Sequence, residues 1–278
     1  MTSQDSMKIA FIGGGNMASA LIAGLAGRLT AGTNIHVVDP NTGARARLAA
    51  QFGVTTADAI DGALAACDVI VLAVKPQQMR DVAAALLPHL AAARPLVLSI
   101  AAGIRGLDLA RWLGGYGAIV RSMPNTPALI GMGITAMVAM DGVGAGQRAA
   151  ADAIMAAVGT TLWLADEAQI DPVTAVSGSG PAYVFYFIEA LQQAAVELGL
   201  SPEQGAQLAL ATFTGAAQLA AQSPDPVPLL REKVTSKGGT TYAAITSMEH
   251  SGVKEQIVAA VKAAAARGRE LGEELGKD

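Results

Sequence analysis

Cysteine is almost absent from this chain of 278 residues: Cys67 stands alone. One thiol cannot close an intramolecular disulfide, which fits a reducing, cytoplasmic compartment. With no Cys-x-x-Cys, no His-Glu-x-x-His and three scattered histidines, the sequence offers no metal-ligand cluster. Charged residues are scarce at 15%, and aromatics scarcer at 4%. A formal net charge of −4 gives no global attraction to nucleic acid or to an anionic membrane. What fills the chain is apolar and small: 52% hydrophobic residues and 31 glycines. That is ample material for a core and unlike a disordered segment. Small residues favour close helix packing and tight turns over a broad aromatic core.

Residues 1–7 are polar and not basic, which is not the pattern of a secretory leader. Long apolar runs are also missing. The stretch 86–104 is broken by Arg94 and two prolines. The stretch 204–224 carries no charge, yet it holds Gln207, Gln218 and Gln222 and begins like a soluble helix. It reads as a helix buried on several sides rather than a membrane span.

In the first half, short β-rich runs alternate with helical ones. Strands are expected at 8–12, 35–38, 69–74, 96–100, 118–122, 131–140 and 160–164, with helices between them. The unbroken Val and Ile of 69–74 suit a strand buried on both faces. Strict alternation predicts a doubly wound parallel sheet covered by helices. After about residue 165 only helices are expected: 181–198, one opening at Ser201-Pro202-Glu203, 240–250 and 253–272, with a proline-rich loop at 223–228. The expected fold class is therefore α/β. A Rossmann-type domain over residues 1–164 precedes an all-helical domain over 165–278. A domain of about a hundred residues cannot bury several nearly uncharged helices within itself, so this half is expected to build a homo-oligomer.

Residues 11–18 read Phe-Ile-Gly-Gly-Gly-Asn-Met-Ala, in which Gly13, Gly15 and Ala18 fit G-x-G-x-x-G/A after an apolar strand and before a helix. The backbone of Ile12, Gly13, Gly14, Gly15, Asn16, Met17 and Ala18 is the expected pyrophosphate cradle. Asp39, which follows the second strand, is placed to accept a ribose hydroxyl, which favours NAD; Asn41 turns beside it. Arg45 or Arg47 could offset a 2′-phosphate, so NADH and NADPH both remain open. Ala73, Val74, Lys75 and Pro76, then Ala101, Ala102 and Gly103, then Asn125 sit at later strand ends, where a flat cofactor would lie. An acid/base residue is harder to find. His36, His89 and His250 read as surface histidines, and Pro76 suggests a backbone role for Lys75. The chemistry is expected to be a hydride transfer needing little acid/base help. Downstream, Thr235-Ser-Lys-Gly-Gly-Thr-Thr241 opens a helix, and its N–H groups and hydroxyls suit a carboxylate.

Together these segments resemble the pyrroline-5-carboxylate reductase family, from Lys8 to about Leu271. The matching stretches are Phe11-Ile-Gly-Gly-Gly-Asn-Met17, Ala73-Val-Lys-Pro76, Ser99-Ile-Ala-Ala-Gly103, Arg121-Ser-Met-Pro-Asn-Thr-Pro-Ala128, Val176-Ser-Gly-Ser-Gly-Pro-Ala-Tyr-Val-Phe185 and Thr235 to Thr241. The first is shared with many dehydrogenases; the last is specific to the family. The resemblance implies that NADPH, or NADH, reduces the C=N bond of 1-pyrroline-5-carboxylate to give L-proline, the last step of proline biosynthesis. An imine nitrogen basic enough to be protonated near neutrality explains the missing acid. The resemblance places Thr241 on the ring nitrogen as the catalytic hydroxyl, with Ser236, Gly238, Gly239 and Thr240 on the carboxylate. It also implies a helical dimerisation domain, a site near a subunit interface, and homodimers that assemble further, often into decamers.

Two departures stand out. Lys237 occupies a position where many members have Pro, and Asp39-Pro40 weakens the case for NADPH. Three other readings compete. A β-hydroxyacid dehydrogenase needs a lysine soon after Ser177-Gly-Ser-Gly180, and none follows until Lys233. A reductase of other cyclic imines would act on six-membered or carboxylate-free rings. A dinucleotide-sensing regulatory protein would have no reason to keep the 236–241 segment.

Overall fold

A computed structural model describes residues 7–277. Most of the polar start, read above as no leader, lies outside them. Among these residues eight strands form one sheet: β1 (Ile9–Ile12), β2 (Ile35–Val38), β3 (Thr55–Ala57), β4 (Val69–Leu72), β5 (Leu96–Ser99), β6 (Ile119–Met123), β7 (Gly133–Ala139) and β8 (Gly159–Trp163). The order across the sheet is β3-β2-β1-β4-β5-β6-β7-β8. Every residue of β1, β2, β4 and β5 is buried, which is why those segments are apolar but for His36 of β2 and Ser99 of β5. The period of two splits them between the faces. Ile9, Phe11, Val69, Val71, Leu96 and Leu98 join one core with Leu21, Ile22 and Leu25 of α1 (Asn16–Leu25). Ala10, Ile12, Ile70, Leu72 and Val97 join a second core on the other face with Met79, Ala83 and Leu86 of α3 (Met79–Leu86). Helices α2 (Thr42–Phe52), α4 (Leu90–Ala93), α5 (Gly106–Trp112) and α6 (Ala145–Ala156) complete the covering.

The doubly wound architecture is as expected, with two differences. β3 has three residues on the edge of the sheet, too few to show a periodicity. And β7 runs antiparallel to β6, against the strict parallel expectation. The connection between them holds only the 3-10 turn Thr126–Ile130, shorter than the dozen or more residues a crossover requires. α6 then restores a parallel β8 beside β7.

By internal contacts the chain divides into two units, one reaching Ser179 and taking back Ala264 onward, the other spanning Gly180–Ala263. This differs from a border at residues 164 and 165 because the following segment packs on the sheet. Glu167, ahead of α7 (Ile170–Val173), pairs with buried Arg121 of β6 at 2.5 Å. The π-helical turn Thr174–Gly178 meets the end of β6, where a Cβ on Gly178 would stand 2.5 Å from Met123 Cε. The chain's end returns as well: Leu271 and Leu275 pack on Gly103, and Arg111 Nη2 donates to Gly276 O at 2.8 Å.

The second unit holds α8 (Gly180–Glu197), α9 (Pro202–Gln222), α10 (Val227–Lys233), α11 (Thr240–His250) and the first part of α12 (Val253–Leu275). Ser201 caps α9 reciprocally with Gln204: Ser201 Oγ accepts from Gln204 N at 3.2 Å, and Gln204 Oε1 from Ser201 N at 2.9 Å. α10 replaces the end of the expected 223–228 loop, with Pro228 in its first turn, where a missing N–H costs nothing. α9 is not buried on several sides in the single chain. Only Gly205 and Ala209 are, and Leu208, Leu210 and Leu219 are more than half exposed. Among the described residues, no helix is long and apolar enough to cross a membrane.

Candidate functional site

The strand order reverses between β1 and β4, so the chain leaves their carboxyl ends in opposite directions and opens a crevice there. Gly13 sits at that point. Its φ is +102°, and a Cβ on it would meet Ala73 O at 2.5 Å. Only glycine lets the loop after β1 pass the end of β4 so closely. Gly15 is the N-cap of α1, and a Cβ there would meet nothing within 4 Å. The N–H groups of Gly15, Asn16, Met17 and Ala18 have no acceptor among the described residues. Four unpaired donors at a helix N-terminus, over open space, fit a pyrophosphate.

The space beside them is a cleft of about 770 Å³. Ile12, Gly13, Gly14, Gly15, Asp39, Asn41, Ala73, Val74 and Lys75 line it, as the sequence suggested for a cofactor. So do Arg47, Asp58, Ile60, Gln78 and Asp81, most of which were not anticipated. Asp58 and Ile60 follow β3, so recognising that short strand would have pointed to them. Asp39 is held in place: Oδ2 accepts from Gly14 N and Oδ1 from Asn41 N, both at 2.7 Å. Arg45 turns away from its carboxylate, donating from Nη1 to Asp39 O at 2.6 Å. Arg47 lies across α1, with Nη2 3.4 Å from Ser19 Oγ.

Other residues proposed for the cofactor do not line this cleft. Pro76 opens a short 3-10 turn after β4. Ala101 is buried after β5, and Gly103 packs against the chain's last helical turns. Ala102 sits half-buried between them. Asn125 is buried and already engaged: Oδ1 accepts from Ile134 N at 3.0 Å and Nδ2 donates to Ser177 O at 3.3 Å. Its side chain joins β7 to the π-helical turn. His36 is not a surface residue. It is buried on β2 with Nδ1 2.8 Å from Thr55 Oγ1, and Asp61 stands 3.5 Å from Nε2.

In the second unit, the segment before α11 makes a tight turn. Gly239 N donates to Ser236 O at 3.0 Å, with Gly238 at φ +78°. A positive φ at the third position is what a type II turn requires, and such turns favour proline at the second, here Lys237. Thr235 Oγ1 is turned inward, donating to Arg231 O at 2.6 Å. Ser236, Gly238, Thr240 and Thr241 are exposed. The N–H groups of Thr240, Thr241 and Tyr242 have no acceptor among the described residues, because Gly239 begins the helix without a side-chain cap. The turn thus presents three N–H donors and the hydroxyls of Ser236, Thr240 and Thr241, a set suited to a carboxylate.

Comparisons with known proteins agree with both halves. Residues 167–271 match the family model described as pyrroline-5-carboxylate reductase dimerisation. Residues 8–103 match the one described as NADP oxidoreductase, coenzyme F420-dependent. A pyrroline-5-carboxylate reductase of Pseudomonas aeruginosa is 46% identical over 270 residues, covering 97% of this chain and 98% of that protein. A solved pyrroline-5-carboxylate reductase from Coxiella burnetii superposes with a TM-score of 0.90 at 39% identity, covering 96% of this chain and 98% of its own. The Plasmodium falciparum pyrroline carboxylate reductase, solved with NADP bound, gives 0.86 at 31% identity, covering 97% of this chain and all of that one. The chain, with its nicotinamide-dinucleotide fold and its dimerisation helices, belongs to the pyrroline-5-carboxylate reductase family.

Proposed function

We propose that this protein reduces 1-pyrroline-5-carboxylate to L-proline with NAD(P)H, as a homodimer joined through its C-terminal helices and open to further assembly of dimers. A bound reduced nicotinamide supplies hydride to the C=N carbon. The chain's own residues do the rest. The N–H groups of Gly15 to Ala18 hold the dinucleotide's pyrophosphate at the positive end of α1, and Ala73 to Lys75 bound the same cleft. Ser236, Gly238, Gly239 and Thr240 fix the substrate carboxylate, so the ring cannot turn away from the reducing face. The Thr241 hydroxyl keeps a proton on the ring nitrogen, so that the carbon remains electrophilic. An iminium needs no stronger acid, in keeping with a buried, engaged His36 and an exposed His250.

The substrate turn at 236–241 carries this reading. A dinucleotide cleft alone suits many oxidoreductases, but a glycine turn whose donors point from a helix start suits an anionic group on the substrate. Initial rates of NADH and NADPH oxidation with 1-pyrroline-5-carboxylate test it, beside a six-membered cyclic imine lacking the carboxylate. Turnover of the first and not the second is expected. Thr241→Ala should lower kcat by about 10- to 100-fold and leave dinucleotide affinity nearly intact. An unfolded Thr241→Ala would mean that the threonine serves only as part of the helix start. Equal turnover of the carboxylate-free imine would assign the protein to a broader reductase.

A further inference from the structure

Resting on the reading of the cleft as a dinucleotide site, we infer that Asp39 selects against a 2′-phosphate, so that NADH is the form this chain binds more tightly. The carboxylate is fixed from two sides, by Gly14 N–H on the glycine loop and Asn41 N–H on the following turn, each at 2.7 Å. Swinging aside to admit a phosphate would break both bonds. Each oxygen retains a lone pair, so it can still accept a hydrogen bond from a ribose hydroxyl. A phosphate has only acceptors to offer it and adds like charge.

The nearby cations do not offset this. Arg45 is bound to the Asp39 carbonyl at 2.6 Å and to Thr42 Oγ1 at 3.3 Å, so it braces the turn. Arg47 reaches Ser19 on α1, the pyrophosphate side of the cleft. The turn itself has little to give. Pro40 has no N–H, Asn41 N–H belongs to Asp39, and Asn41 Oδ1 accepts from Ala44 N at 2.9 Å. The N–H groups of Thr42 and Gly43 remain, and both follow Asp39 along the chain. Asp58 and Asp81 add two more carboxylates to the cleft, against Arg47 and Lys75.

The test is binding, not turnover. Dissociation constants of NADH and NADPH are measured by fluorescence on the full-length protein without substrate, with 5′-ADP and 2′,5′-ADP as probes lacking the nicotinamide. NADH should bind at least about tenfold more tightly than NADPH, and the two ADP probes should rank the same way. Asp39→Ser should close that gap by tightening NADPH. Asp39→Asn, which removes the charge but keeps an acceptor for only one of the two N–H groups, should close part of it. Equal or tighter binding of NADPH by the unmodified protein would overturn the inference while leaving the dinucleotide reading intact. A gap unchanged in both variants would do the same. Failure of all four ligands to bind would remove the dinucleotide reading and the inference together.

Discussion

Strand β4 and helix α8 show two ways of providing cover for apolar residues. All four residues of β4 are buried within its own chain. α8 has 18 residues, runs through Tyr183-Val-Phe-Tyr-Phe-Ile188, and buries none of them among the described residues. Phe185 is 65% exposed and Tyr186 72%, and Leu198 just beyond the helix reaches 84%. The first unit completes its cores with helices on both faces of a sheet. The second has a helical hairpin, α8 on α9, whose partner surface belongs to a dimerisation family. Burying one such leucine or phenylalanine contributes about 1.5–3 kcal/mol, so several of them together can hold two copies permanently. The first unit thus covers its apolar residues within the chain, and the second leaves many of them for association.

The sharpest way to break this comparison is to charge the exposed helices. Phe185→Asp with Leu208→Asp should convert the oligomer to monomer, read as a halved or smaller mass by light scattering. The near-ultraviolet signal of Trp112 and Trp163, both in the first unit, should survive. An unchanged mass would show that these side chains are merely exposed.

Within the first unit, two neighbouring glycines should separate folding from binding. Gly13→Val puts a Cβ 2.5 Å from Ala73 O in a backbone of φ +102°, so it should destabilise the sheet by about 3 kcal/mol or more. Gly15→Val finds nothing within 4 Å of its Cβ, so it should cost only the roughly 0.5–1 kcal/mol of a poorer N-cap and abolish dinucleotide binding by filling the cleft. If Gly15→Val instead binds normally, the pyrophosphate does not lie there.

Legibility followed the same division. β1 and β4 were visible because burial on both faces makes them apolar throughout, and β2 and β5 because a single polar residue, His36 or Ser99, interrupts an otherwise apolar run. The start of α9 was visible because Ser201 and Pro202 act locally. β3 was not, and two further errors follow from that one. Thr55 on β3 is the hydrogen-bond partner of the buried His36, and Asp58, just after it, lines the cleft. Three edge residues gain their structure from β2 rather than from a pattern of their own. The antiparallel β7 was hidden because direction is decided by the length of a connection, not by the composition of the strand. Asn125 was placed correctly at a strand end, but sequence does not say that Ile134 and Ser177 already hold its side chain. In the 236–241 turn, the glycines and threonines were legible as a helix start. The reason for proline at position 237 in relatives needed the φ of Gly238.

Cys67 measures how dry the first unit is. Burial, and then the charge of Asp68, push its thiol from 9.0 up to about 11. A raised folded value means that the native state holds the proton more tightly than the unfolded chain does. The stabilisation is complete below pH 9 and is lost as pH rises from 9 through 11, by about 2 kcal/mol. Urea midpoints across that range, compared with Cys67→Ala, isolate the effect: the difference between the two proteins should vary with pH only above 9. A difference that varies below pH 8 would mean that the thiol is reached by water.

The smallest effect expected lies in the second unit, where Lys237→Pro tests whether the exposed turn is pre-shaped. Proline suits the second position of a type II turn, and Lys237 N–H has no acceptor among the described residues. Fixing φ there should therefore stabilise by about 0.4–1 kcal/mol, through the unfolded chain rather than through any new contact. The substitution also removes a cation beside the proposed carboxylate site. Lys237→Ala removes the same charge without the rigidity and separates the two effects. If the lysine serves the substrate, both variants raise KM for the imine alike, and only the proline variant gains stability. If pre-shaping dominates, Lys237→Pro lowers KM while Lys237→Ala leaves it unchanged. A loss of stability in Lys237→Pro would show a turn of another type, and the family's proline would then have no geometric reason in this chain.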